Sequence, residues 1–131
     1  MLRGKILVVN DDPGDIPAYA GMIAALGYDV ETCDSYEEGA GRIATQNFDF
    51  VIVAQGSAAF EGRCVLERAA KLHRNVPILV VARSLNLHNY LEAMGLGAVD
   101  YLERPEPEDV GLVLESQLNQ PHNLLARQGA N

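Results

Sequence analysis

The feature that most constrains this chain is a regular alternation between short apolar runs and helical patterns. Lys5-Ile6-Leu7-Val8-Val9, Phe48-Asp49-Phe50-Val51-Ile52-Val53 and Pro77-Ile78-Leu79-Val80-Val81-Ala82 are near-continuous apolar runs rich in β-branched residues. Such runs are typical of strands buried on both faces. Tyr28-Asp29-Val30-Glu31-Thr32 alternates and predicts a shorter strand, and Ala98 to Leu102 supplies a fifth. Between them, apolar residues recur at helical spacing: Tyr19, Met22, Ile23 and Leu26, then Ala40, Ile43 and Ala44, then Cys64, Val65, Leu66, Ala69, Ala70 and Leu72. Leu87 to Leu96 predicts a fourth helix and Glu108 to Leu118 a fifth, after the break at Pro105-Glu106-Pro107.

Local signals punctuate these elements. Pro17 cannot sit in a helix interior, so the first helix should start near Asp15–Pro17 with Asp15 as its cap, and Gly27 should end it. Ser35-Tyr36-Glu37-Glu38 is a capping box opening the second helix. Five strand–helix units in series predict an α/β fold, a doubly wound five-stranded parallel sheet, (βα)5, with helices on both faces. One domain is expected over residues 1–118, followed by a polar tail or linker over 119–131 with a short helical turn at Leu124–Arg127. In such folds ligands bind outside the carboxyl ends of the strands, so chemistry is sought just after Val9, Val53, Val81 and Leu102.

Composition narrows the function classes. Ten Lys and Arg against 18 Asp and Glu give a net charge of −8, which disfavours direct binding to nucleic acid or to an anionic membrane surface. No apolar run approaches the roughly 18–20 residues of a membrane span, and the N-terminus lacks a cleavage-site pattern, so a cytoplasmic protein is expected. Cys33 and Cys64 have no metal-ligand spacing and are expected as reduced thiols. His73, His88 and His122 are isolated, which argues against a zinc site.

The first apolar run ends in Asn10-Asp11-Asp12. Adjacent carboxylates on a turn suit a hard cation such as Mg²⁺, and equally suit a turn or helix cap. The same loop argues against a flavin or nucleotide phosphate cradle, which needs glycines and free backbone N–H groups.

Ile6-Leu7-Val8-Val9-Asn10-Asp11-Asp12-Pro13, Phe48 to Val53, Val76 to Ala82, and Gly97-Ala98-Val99-Asp100-Tyr101-Leu102-Glu103-Arg104-Pro105 occur in that order. Together they resemble the receiver domain of bacterial two-component response regulators over roughly residues 4–118. The resemblance implies the receiver, flavodoxin-like fold and a pocket at Asn10, Asp11, Ala54, Ala82, Arg83 and Arg104. It also implies that the family's direct metal ligand is kept as Asp11, beside Asp12 of the same loop, and that Tyr101 is a partner-face aromatic, the alternative being a buried filler. In the family, an aspartate at the end of strand 3 accepts a phosphoryl group, where this chain has Ala54. The strand-4 hydroxyl residue corresponds to Ala82, the lysine before the strand-5 proline to Arg104, and the first acidic residue to Asn10. An alanine methyl cannot form an acyl phosphate, so the expected reading is a pseudo-receiver that acts without the usual phosphorylation. Where the family usually carries a small residue, position 83 is Arg. Arg83 or Arg104 is expected to pair with the acidic loop and lock the pocket without Mg²⁺, the alternative being that Arg83 points into solvent.

Other polar residues carry less. Ser57, Glu61 and Glu103 are expected as loop polarity, Asp49 and Asp100 as turn residues at strand entries, and His88 as an exposed helical residue. Glu106, Glu108 and Asp109 suit the start of a helix. The leading expectation is a non-enzymatic signalling module of a two-component or phosphorelay pathway. It would bind a histidine kinase, an output domain or another regulator through helix 4, strand 5 and helix 5, and homodimers are compatible. No cofactor is expected beyond a weak case for Mg²⁺. The alternative is an Mg²⁺-dependent phosphoacceptor using Asp11 or Asp12. A flavodoxin-like cofactor binder is disfavoured by the acidic loop and by the absence of tryptophan.

Overall fold

The structure, a computed structural model, describes residues 3–119. Five strands alternate with five helices: β1 Lys5–Val9, α1 Asp15–Ala25, β2 Asp29–Cys33, α2 Tyr36–Thr45, β3 Phe50–Ala54, α3 Arg63–Lys71, β4 Ile78–Ala82, α4 Leu87–Gly95, β5 Asp100–Glu103 and α5 Pro107–Asn119. The strands form one parallel sheet in the order β2-β1-β3-β4-β5.

The two-residue period of each strand divides the core. Leu7, Val9, Val51, Val53 and Val80 face one layer with Ile43 of α2, Val65 and Leu66 of α3 and Ala93 of α4. Ile6, Val8, Phe50, Ile52, Leu79 and Val81 face the other with Ile23 of α1 and Val110 and Leu114 of α5. Both faces of the sheet are therefore covered, which accounts for the unbroken apolar runs of β1, β3 and β4.

The helix boundaries follow local chemistry. Gly27, at φ +94°, takes the left-handed conformation that closes α1. The Ser35 side chain accepts the Glu38 N–H at 3.3 Å and caps α2, while the Glu38 carboxylate pairs with Arg42. Pro107 opens α5 as its first residue, where its missing N–H has no helical partner to lose. The expected start at Glu108 is thus one residue late. Asp15, expected as the cap of α1, is instead its first residue, with Gly14 in the cap position. The Asp15 carboxylate turns towards Asn10 and Arg83, which removes it from capping. The expected tail lies outside the described residues apart from Asn119, the last residue of α5, and so does its turn at Leu124–Arg127.

Among the described residues no helix is long and apolar enough to cross a membrane. Cys33 and Cys64 are free thiols, and burial pushes the Cys33 thiol up to about 11.

Candidate functional site

The strand order reverses direction at β1, between β2 and β3, and a cleft of about 400 Å³ opens at the carboxyl ends there. Asn10, Asp11, Ala54, Ala82, Arg83 and Arg104 all line it, so the residues expected at one pocket are brought together. Tyr19 and Asp15, which the sequence did not single out for this place, line it too. Parallel pairing sets their register: Ala54 lies opposite Val81, and Ala82 opposite Glu103.

The loop after β1 is folded onto itself. Buried Asn10 accepts the Asp12 N–H on Oδ1 at 2.9 Å and donates from Nδ2 to Asp15 Oδ2 at 3.4 Å. Asp12 Oδ1 accepts the Gly14 N–H at 2.7 Å, and the Asp15 N–H donates to the Asp12 carbonyl at 3.2 Å. The Arg83 guanidinium reaches this loop from the end of β4. Its Nη2 pairs with Asp12 Oδ2 and lies 3.6 Å from Asp15 Oδ2. Arg104 does not join the acidic loop; its Nε donates to the Arg83 carbonyl at 2.8 Å, and its own N–H donates to the Ala82 carbonyl at 2.7 Å. Arg104 holds the left-handed φ of +45°, a strained conformation for a non-glycine residue that these two bonds secure.

Asp11 has a different partner. The Tyr36 hydroxyl, at the start of α2, donates to Asp11 Oδ1 at 3.0 Å. Burial raises the Tyr36 phenol well above the ordinary tyrosine range, and the hydrogen bond and charge of Asp11 raise it further. No short-range pattern marks Tyr36 for this role, because the contact joins loops 25 positions apart.

A second polar group lies beside the cleft. The Tyr101 hydroxyl donates to Gln55 Oε1 and accepts the Asn86 N–H at 3.2 Å. Tyr101, Gln55 and Asn89 are all buried, and Asn89 Nδ2 donates to the Ala58 carbonyl at 3.0 Å. Tyr101, weighed as a partner-face aromatic or a buried filler, is inside the protein and packs against Tyr90 of α4. Exposed apolar surface on this side comes from Leu87, Leu91 and Met94, one stripe along α4, with Leu85 just before it.

The remaining expected residues have local partners. Ser57 Oγ and its N–H both donate to Glu61, which lowers the Glu61 carboxyl below its usual range. Glu103 Oε2 accepts the Leu85 N–H at 3.0 Å, Asp49 Oδ2 accepts the Lys5 N–H at 2.8 Å, and Asp100 accepts the Tyr101 N–H at 2.8 Å. His88 is exposed and 3.5 Å from Glu92.

Mg²⁺ requires an octahedral oxygen shell at about 2.0–2.1 Å, usually with one or two free carboxylates. Here Asp12 is paired with a guanidinium, Asp11 is bonded to a phenol, and the end of β3 offers the Ala54 methyl. Among the described residues no group of three or more His, Cys, Asp or Glu is placed to hold a metal. As placed, these carboxylates are engaged by protein groups, so Mg²⁺ binding both aspartates would have to displace Arg83 from Asp12.

Residues 6–113 match the family described as response regulator receiver domain. The transcriptional regulatory protein ZraR of Salmonella typhimurium is 30% identical over 107 residues, covering 80% of this chain and 24% of that protein. The nitrogen assimilation regulatory protein NtrX of Azorhizobium caulinodans is 24% identical, covering 93% of this chain and 31% of that protein. The chain thus spans about a quarter to a third of the length of these relatives. Among solved structures, a CheY-like receiver domain protein from Methanospirillum hungatei superposes with a TM-score of 0.82 at 26% identity, covering 92% of this chain and 96% of the other. A signal receiver domain of a Luxo repressor protein from Vibrio parahaemolyticus gives 0.85 at 16% identity, covering 99% of each, a likeness of fold alone.

Proposed function

The chain belongs to the response regulator receiver domain family, and from that premise we propose that it is a non-enzymatic signalling module that takes no phosphoryl group at position 54 and acts by binding protein. One observation carries the reading: the last residue of β3, at the floor of the cleft, is Ala54. Its methyl has no lone pair with which to attack phosphorus. Ala82 at the neighbouring strand end likewise offers no hydroxyl to a phosphoryl oxygen.

The supporting geometry concerns the carboxylates that remain. Asp12 is committed to Arg83 and Gly14, and Asp11 to Tyr36. Both oxygens of Asp12 are engaged and Asp11 Oδ1 accepts from Tyr36, and each contact lowers the nucleophilicity of its carboxylate. The exposed leucines of α4 supply the apolar surface for a protein partner such as a histidine kinase, an output domain or another regulator.

The test is an amide NMR spectrum of the labelled chain with and without Mg²⁺ and a small phosphoryl donor, with intact mass measured in parallel. The expected result is no mass gain and no shift at Asp11, Ala54 or Ala82. A mass gain of one phosphoryl group mapping to Asp11 or Asp12 would replace this reading with an Mg²⁺-dependent phosphoacceptor.

A further inference from the structure

We propose that Arg83 is the built-in counter-cation of the acidic loop, its guanidinium standing where a divalent ion would otherwise bind, so that an aspartate restored at position 54 would not by itself restore metal binding. The inference rests on the silent-pocket reading and deepens it by naming what holds the pocket in that state.

Three relationships carry it. One guanidinium nitrogen, Nη2, pairs with Asp12 and lies 3.6 Å from Asp15. A divalent ion at Asp11 and Asp12 would sit beside a permanent positive charge, and like charges a few ångströms apart repel. Next, the arginine is carried on a braced backbone. Its carbonyl accepts from Arg104 Nε and the preceding Ala82 carbonyl from the Arg104 N–H, so the end of β4 is tied to the end of β5. Finally, the mouth is neutral at Asn10 and Ala54 and Asp11 is bonded to Tyr36, while Asp12 and Asp15 are the carboxylates that Arg83 meets.

The arginine side chain is 67% exposed, so the pair adds little to folding stability. What it sets is which cation the loop holds. Exposure also makes position 83 a safe place to substitute, whereas Ala54 is buried.

The experiment is a Mn²⁺ titration of the full chain, read by calorimetry and by paramagnetic broadening of the amides of residues 10–15. Arg83→Met keeps the length of the side chain and removes its charge. It should bind Mn²⁺ at least about tenfold more tightly than the wild type, with broadening centred on residues 10–15. Ala54→Asp alone should stay near the wild type, and the combined variant should bind most tightly of all. Equal Mn²⁺ affinity in Arg83→Met and the wild type would overturn the inference, as would an Ala54→Asp variant that binds as tightly as the combined one. If Ala54→Asp does not fold, the Arg83→Met comparison decides alone. A wild type that stays unphosphorylated while Arg83→Met gains nothing overturns only this inference. Phosphoryl uptake by the wild type overturns the reading beneath it.

Discussion

The Tyr101 hydroxyl donates to the side-chain oxygen of Gln55, joining β5 to the residue that follows β3 inside the protein. The Tyr101 hydroxyl oxygen in turn accepts the N–H of Asn86, the residue that caps α4, and the Tyr101 ring packs edge-on against Tyr90 at 5.7 Å. One phenol therefore holds two strand ends and a helix start. α4 is further tied to the segment after β3 by Asn89 to Ala58, and to α3 by the ion pair of Arg63 with Glu92 at 2.9 Å. The surface leucines of α4 are presented on a helix fixed from below at three places.

Tyr101→Phe keeps the ring and removes that hydroxyl. Gln55 and the Asn86 N–H then lose their partner next to a buried site, and an unmade hydrogen bond there costs about 1–3 kcal/mol. Urea unfolding should show a loss of that size. Amide exchange should quicken first around Asn86, at the start of α4.

The alkaline limb of stability follows from the tyrosines. Burial raises the phenols of Tyr19, Tyr36 and Tyr101 above their unfolded value of 10.0. Between the unfolded and folded values the native chain holds protons that the unfolded chain has released, so stability declines with rising pH. The contribution is full below about pH 10 and is lost as pH climbs through the folded values. Urea midpoints should therefore fall as pH rises above about 10. Tyr36→Phe should make that drop shallower. An unchanged slope in Tyr36→Phe would count against a raised Tyr36 phenol, which burial raises first and the Asp11 bond second.

Much of the fold was legible because strand burial leaves its mark in consecutive residues. Ile6 to Val9, Phe50 to Val53 and Ile78 to Val81 are apolar without interruption since both faces of the sheet are covered. Ser35 announced the start of α2 through a bond only three residues long. The six pocket residues were reachable because each lies at or next to a strand end, and parallel pairing gathers strand ends. What stayed hidden depends on side chains meeting across long separations. Nothing near Tyr36 in sequence tells that its hydroxyl finds Asp11, nor near Gln55 that it finds Tyr101. Asp15 looked like a cap because its spacing from Pro17 fits one, but its carboxylate turns to Asn10 and Arg83 instead.

Gly62 tests how tightly the floor of the cleft is packed. A Cβ added there would stand 2.0 Å from the Ala54 carbonyl oxygen and 3.1 Å from Val53 Cγ2, so the end of β3 or the start of α3 must move. Gly62→Ala should cost about 1–3 kcal/mol in urea unfolding, the range for overpacking. Gly21, inside α1, has nothing within 4 Å of the same atom, so Gly21→Ala should stabilise by about 0.4–1 kcal/mol. Opposite signs for one chemical change would separate packing from helix propensity.

The last prediction concerns α4. Leu87 and Leu91 are 68% and 60% exposed one turn apart, and Met94 continues the stripe. Changing both leucines to serine removes apolar surface that the folded chain does not bury, so stability should move by no more than about 0.5 kcal/mol. If this face receives a protein, the same change should weaken capture of that partner by more than about tenfold, because apolar anchors at the centre of an interface carry most of its affinity. The comparison that decides is Leu112, on α5 and 71% exposed but away from the stripe. Leu112→Ser should leave partner binding unchanged. Equal losses from both surfaces would mean that exposure alone, and not the α4 stripe, governs the contact.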